Sequence, residues 1–260
     1  MDVEIYINDQ TNIVKEYLEN TFKISVTELP NIDAFLEILL KNILSLKTWK
    51  NELEQNNHTI NNIIFKDSTV YIEETVSNLN QALILGIIGF RIPSCMMMRR
   101  SLENLISFLY YKDHPVEYFK KELGNPSTNI KNLQNYLMEY PFELIYRNTY
   151  ENKFKYIREL IENLIEEWNR VYKELSNYVH GSRKKYIELK TYIEDIIPRD
   201  EVLQSIIPLA EKTGDIINGL LITFFFEVYM SMDETKKSLI RLSIKNDLIK
   251  KYILKAFGDL

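Results

Sequence analysis

From Tyr150 to Gly181 the chain reads YENKFKYIRELIENLIEEWNRVYKELSNYVHG, and this stretch decides the fold. Phe154, Ile157, Leu160, Ile161, Leu164, Ile165, Trp168, Val171, Tyr172, Leu175 and Val179 recur every three or four residues, the spacing that lines one face of an α-helix. Glu159, Glu162, Glu166, Arg170 and Glu174 supply the polar surface. The pattern predicts about thirty residues of continuous helix, long for a globular domain and long enough to act as a spine. Gly181 marks either the end of that helix or a kink within it.

Working outward, seven glycines and seven prolines in 260 residues are few, and other long stretches repeat the same spacing, so the predicted class is an all-α helical bundle with long central helices. A 45% hydrophobic and 27% charged composition supplies a core of the chain's own and excludes a disordered or collagen-like polymer. No boundary or fixed-period repeat divides the chain, so residues 1–260 are read as a single helical domain. The apolar runs Ala82 to Phe90 and Leu220 to Phe226 fall far short of the roughly 20 residues a membrane span requires, and belong inside a bundle. One cysteine, Cys95, cannot form an intrachain disulfide, and the first residues lack a secretory pattern, so a cytoplasmic protein is expected. The three histidines are widely separated and no glycine-rich phosphate loop is present, so neither a metal nor a cofactor is expected.

Several boundaries follow from local signals. A helix is predicted after Pro30 and Asn31 with Phe35, Leu36, Leu39, Ile43 and Leu46 inward, and the polar stretch from Asn51 to Asn62 reads as a helix end followed by a loop. A second starts after Asp67 or Ser68 and runs towards Gly89, and Pro93 separates it from a third that stops before His114-Pro115. Residues 130–138 form a short helix, Pro141 begins a new segment, Pro208 and Gly214 are places for a bend, and one amphipathic helix is expected from about Glu234 to Phe257. Alternation over Val3 to Ile7 and a β-branched, aromatic stretch over Ile63 to Ile72 leave room for a minor N-terminal hairpin.

Chemistry is best placed in two segments. On one helix Asn177 and His180 are three residues apart and Ser176 lies four before His180, so all three share a face. Arg99 or Arg100 with Glu103 makes a matching polar cluster on the other. Packed together, these would set an Arg–Glu pair beside an imidazole, an arrangement suited to holding a phosphate or moving a proton near neutral pH. The plainer alternatives are that Asn177 and His180 satisfy groups at a helix end and that Arg100 and Glu103 form an interhelical ion pair. His114 reads as a loop or cap residue and His58 has nothing to recruit it. Met96, Met97 and Met98 read as core packing beside Cys95, and Tyr111 is the phenol to watch near His180.

The order of Arg100-Ser101-Leu102-Glu103, then Tyr110-Tyr111 followed by His114-Pro115, then Leu175 to Gly181 resembles the HEPN superfamily of helical-bundle proteins, with the likeness centred on residues 97–183. That resemblance implies a homodimer and a role in toxin–antitoxin, abortive-infection or other antiviral defence systems, with RNA or DNA, or a protein of such a system, as partner and no membrane. Active ribonucleases of the superfamily carry an arginine, four residues and a histidine on one helix and cleave RNA without metal, using the ribose hydroxyl. His180 matches the histidine, but the position five before it is Leu175, and leucine cannot bind a phosphate. An endoribonuclease therefore requires His180 as general acid or base with Arg100 or Arg183 on the phosphate, and Glu103 and Asn177 complete the candidate catalytic set.

Two basic surfaces are candidates for nucleic acid or an acidic partner: Arg183, Lys184 and Lys185 beside His180, and a C-terminal row of Lys236, Lys237, Arg241, Lys245, Lys250, Lys251 and Lys255 against Asp247, of which Lys245 and Lys251 are the chosen contacts. They stand out in a chain whose net charge is −5, too acidic overall to recruit nucleic acid by a global field. The missing arginine favours a binding or regulatory protein over a catalyst. A small-molecule site lined by Met98, Tyr111 and His180 is the third alternative.

Overall fold

The computed structural model describes residues 3–25, 28–55, 66–125, 128–146 and 153–258. The helices are α1 (Val3–Phe22), α2 (Ile32–Gln55), α3 (Val70–Ile87), α4 (Arg91–Tyr111), α5 (Pro115–Glu122), α6 (Ile130–Met138), α7 (Phe142–Ile145), α8 (Phe154–His180), α9 (Asp200–Phe224), α10 (Phe226–Ser231), α11 (Glu234–Leu242) and α12 (Asp247–Phe257). No strand occurs among the described residues, and the protein is an all-α helical bundle.

The spine is α8, which buries Ile157, Leu160, Ile161, Leu164, Ile165, Trp168, Val171 and Leu175 along one stripe. Its partners are α4, α9 and α12. The helix most enclosed is α9, buried at every position from Thr213 to Phe224, as a central helix must be. Pro208 and Gly214 lie inside it and do not end it, because packing on every side outweighs their poor helical propensity. Gly214 has a packing role: a Cβ there would lie 2.1 Å from Asn42 Oδ1 on α2. The close approach lets Asn42 Nδ2 donate to Ala210 O at 3.1 Å, while Ser45 Oγ donates to Asn218 Oδ1 and Asn218 Nδ2 to Gly214 O at 3.1 Å.

Three local expectations are corrected. Residues 3–7 are helical: Val3, Ile7, Thr11 and Leu18 bury one helical stripe, and Val3 and Ile7 pack on Leu239, so tertiary burial overrides the β-like alternation. In the other half of the expected hairpin, residues 66–72 form a 3-10 turn and the start of α3, while 63–65 lie outside the described residues; the polar stretch from Asn51 begins as the end of α2, which runs to Gln55, and 56–62 lie outside the described residues as well. Pro93 falls in the first turn of α4, where a missing N–H breaks no intrahelical bond. The N–H groups of Arg91 and Ile92 there donate to the Glu188 carboxylate at 3.3 and 3.2 Å.

The expected C-terminal helix is two, α11 and α12. Asp215 of α9, buried in the core, accepts hydrogen bonds from the backbone N–H groups of Lys245 and Asn246, and Asn246 then caps α12 by accepting from Leu248 N and Ile249 N. Main-chain groups that a continuous helix would pair internally are taken by a side chain thirty residues away, so the chain turns.

Candidate functional site

The C-terminal end of α8 is closed by a Schellman arrangement. Gly181 adopts φ +55°, where a side chain would be strained, and Gly181 N donates to Tyr178 O at 3.3 Å and Ser182 N to Asn177 O at 3.2 Å. Asn177 serves this cap, its Oδ1 also accepting from Ser182 Oγ at 3.0 Å. Ser176 donates back to Tyr172 O at 2.7 Å. His180, the last helical residue, stands exposed.

Facing it across the α4–α8 contact is Arg99. Its Nε donates to Glu103 Oε1 at 3.1 Å, its Nη2 donates to the Tyr172 hydroxyl at 2.7 Å, and its Nη1 lies 3.5 Å from His180 Nε2. Tyr172 in turn donates its own proton to Glu103 Oε1 at 2.7 Å and stacks on the buried Trp168 with ring centroids 4.4 Å apart. Burial, and then the hydrogen bond and charge of Glu103, push the Tyr172 phenol up to about 12, so it keeps the proton it gives to Glu103. Three neighbours thus fix one guanidinium at the edge of the bundle, leaving about two of its five N–H groups for a ligand.

Of the sequence candidates, Glu103 and His180 meet at this cluster. Arg100 does not: it projects to the α3 side of α4 and its Nη2 donates to Glu74, so the arginine beside the imidazole is Arg99. The phenol at the site is Tyr172, and not Tyr111, which lies twelve residues, or about 18 Å, further along α4. Tyr111 is enclosed against Tyr71 and Tyr118. The signal for Tyr172 was its position eight residues before His180, two turns back on the same helix. Met98 is fully buried, as is Cys95, whose thiol burial pushes up to about 12. Met98 and Tyr111 in the core and His180 at the surface do not line one cavity. His114 stands at the N-terminal boundary of α5 with no side-chain cap bond, its Nδ1 lying 2.8 Å from Tyr110 O; His58 is outside the described residues.

The two basic surfaces are far apart. Arg183, Lys184 and Lys185 are all exposed immediately after the α8 cap. Lys245 and Lys251 are exposed too, but α12 packs on the other half of α8: Leu164 and Ile249 both approach Gly219, and Leu164 is about 24 Å along the helix from His180. Much of the C-terminal row is neutralised, with Lys236 on Glu52 and Asp233, Arg241 on Glu234 and Lys250 on Asp247. Among the described residues no group of three or more His, Cys, Asp or Glu side chains gathers closely enough to hold a metal ion, and no helix is long and apolar enough to cross a membrane.

The fold and site together define a helical bundle with a surface Arg–His pair braced by a tyrosine and a glutamate. No protein-family model, curated protein or solved structure matches the chain, so its function has to be argued from this site.

Proposed function

We propose that this protein binds RNA as a regulatory or defence-associated helical protein of the HEPN-like kind, with Arg99 and His180 on a phosphate and Arg183, Lys184 and Lys185 along the adjoining backbone. The observation that carries this is the exposed pairing of Arg99 with His180, 3.5 Å apart, directly before an exposed basic run. An arginine held by a carboxylate and a phenol offers a phosphate preset donors, and neighbouring lysines add the sequence-independent attraction that dominates such binding. Fluorescence anisotropy with a labelled single-stranded oligoribonucleotide tests it. Arg99→Ala and His180→Ala should each weaken binding by roughly tenfold, the scale of a charge-assisted hydrogen bond. The paired change Lys245→Ala and Lys251→Ala, on the distant surface, should leave binding as it was. Equal affinity of all variants would overturn the proposal.

Cleavage is a second reading, favoured by one feature: Arg99 supplies from α4 the guanidinium that Leu175 cannot supply from α8. In that reaction His180 takes the proton of a ribose 2′-hydroxyl, the 2′-oxygen bonds to phosphorus, the bond to the 5′-oxygen breaks and the protonated His180 returns that proton to the leaving 5′-oxygen, with Arg99 countering the charge on the phosphoryl oxygens. Incubation with chelator should then yield 2′,3′-cyclic phosphate ends, and a 2′-deoxy substitution at the cut should abolish them. Intact RNA bound tightly and indefinitely would restrict the site to binding.

A further inference from the structure

A cavity of about 390 Å³, within the range of small-ligand sites, lies between the segment 187–190 and the first turns of α4 and α9. Gly89, at φ +88°, lets the chain close in around it: a Cβ there would lie 2.2 Å from Ile197 O and 3.7 Å from Lys190 Nζ. Three cationic side chains, Arg91, Lys190 and Arg199, line the cavity with two carboxylates, Glu188 and Glu201. Glu188 is already engaged by the amides of Arg91 and Ile92 at the positive end of α4. The cations are not so engaged. Lys190 Nζ donates to a neutral group, Asp195 O, at 2.9 Å, which leaves its charge without a counterion. The Arg91 guanidinium lies over the Tyr178 ring, 5.4 Å from Cζ to centroid, and its Nε is buried without a hydrogen-bond partner. Arg199 is exposed and makes no ion pair among the described residues. Arg99, Arg100, Arg158, Arg170 and Arg241, by contrast, each sit on a carboxylate. With 37 acidic residues against 32 basic ones, this chain has counterions to give, and two arginines without one converge on the same enclosed space.

We propose that this cavity binds a small phosphomonoester with a hydroxylated organic body, its phosphate on Arg91, Lys190 and Arg199 and a hydroxyl on Glu201. Two guanidinium forks and an ammonium suit a group with several acceptor oxygens and more than one negative charge, and a phosphomonoester carries about −1.5 to −2 near pH 7. A carboxylate or an internal phosphodiester brings only one charge. Glu201, which has no partner of its own among the described residues, accepts a hydroxyl proton and repels a second phosphate, so it selects the body of the ligand as well as its charge. Ile187, Leu189 and Val202 supply the apolar part of the wall, Ile187 and Leu189 remaining 49% and 80% exposed. The cavity shares no residue with the Arg99–His180 site: Arg91 lies eight residues, about 12 Å, before Arg99 on α4. It stands whether or not the protein binds RNA.

Isothermal titration calorimetry of the full chain tests this, with adenosine 5′-monophosphate and ribose 5-phosphate as ligands and adenosine, ribose and inorganic phosphate as comparisons. At least one of the two phosphomonoesters should bind, its unphosphorylated counterpart should not, and inorganic phosphate should bind roughly tenfold or more weakly than the ester. Arg199→Ala, a change at an exposed position, should weaken the ester by roughly tenfold, the scale of a charge-assisted hydrogen bond. Arg91→Lys keeps the charge and loses the fork, and should weaken it as well. Glu201→Gln should tighten inorganic phosphate several-fold, because the one free negative charge in the cavity is gone. Binding of an oligoribonucleotide with a 5′-hydroxyl end should be the same for Arg199→Ala as for the wild type. Silence from both esters overturns the proposal, as does inorganic phosphate bound as tightly as the ester or an affinity indifferent to Arg199→Ala. So does a cavity that takes a 5′-phosphorylated oligoribonucleotide and neither small ester, which would make it a receptor for the end of an RNA strand.

Discussion

Arg99 owes its position to Tyr172 more than to any other residue. The hydroxyl of Tyr172 accepts from Arg99 and donates to Glu103, so one oxygen ties the guanidinium to its carboxylate while the ring stacks on Trp168 and lies under the guanidinium, 4.8 Å from Cζ to centroid. Tyr172→Phe keeps both ring contacts and removes only the oxygen. It should cost about 1.5 to 3 kcal/mol in urea unfolding, the value of hydrogen bonds to charged groups, and weaken RNA binding by several-fold because Arg99 loses its brace. Unchanged affinity together with lost stability would show that Arg99 needs no positioning. At this scale the sequence left two consecutive arginines equally eligible. They point about 100° apart on a helix, and only the place of α3, which supplies Glu74 to Arg100, decides which one turns to α8.

At the scale of elements, periodicity made α6 and α8 legible almost to their last residues, because each has one wet and one dry face. The C-terminal break was illegible because its cause, Asp215, sits on another helix. Two predictions follow from how α9 holds its neighbours. Gly214→Ala drives a methyl into the Asn42 carboxamide, so α2 and α9 must part; thermal or urea unfolding should register a loss of about 1 to 3 kcal/mol, as overpacking does, despite alanine's better helical propensity. Asp215 makes stability depend on pH. Burial raises its carboxyl to about 6, against the pull of the Lys245 and Asn246 amides. A folded-state value above the ordinary carboxylate value of about 4 means that the fold favours the protonated form. Its stabilisation is therefore full below about pH 4 and is lost as pH rises through about 6, a fall of roughly 2 to 3 kcal/mol. Asp215→Asn keeps an acceptor oxygen without the charge. The difference in unfolding free energy between wild type and variant should therefore slope across that window and level off above it; a flat difference would place the titration elsewhere.

At the scale of the whole molecule, a chain of net charge −5 carries its two candidate basic surfaces separated by much of the length of α8. Composition alone made the protein unpromising for nucleic acid, and the local sequence could not show that α4 brings an arginine to the end of α8, since that contact joins residues eighty-one apart. The salt dependence of RNA binding separates a local site from a diffuse field. With about four phosphate contacts from Arg99, Arg183, Lys184 and Lys185, the logarithm of the affinity should fall against the logarithm of salt concentration with a slope of roughly −3, taking about 0.7 ion released per contact on a single strand. Replacing Arg183 and Lys185 by alanine should about halve that slope, and replacing Lys245 and Lys251 should leave it unchanged. A slope set by the C-terminal lysines would move the interface to α12 and strip the Arg99–His180 pair of its role, because Leu164, where α12 packs, lies about 24 Å along α8 from His180.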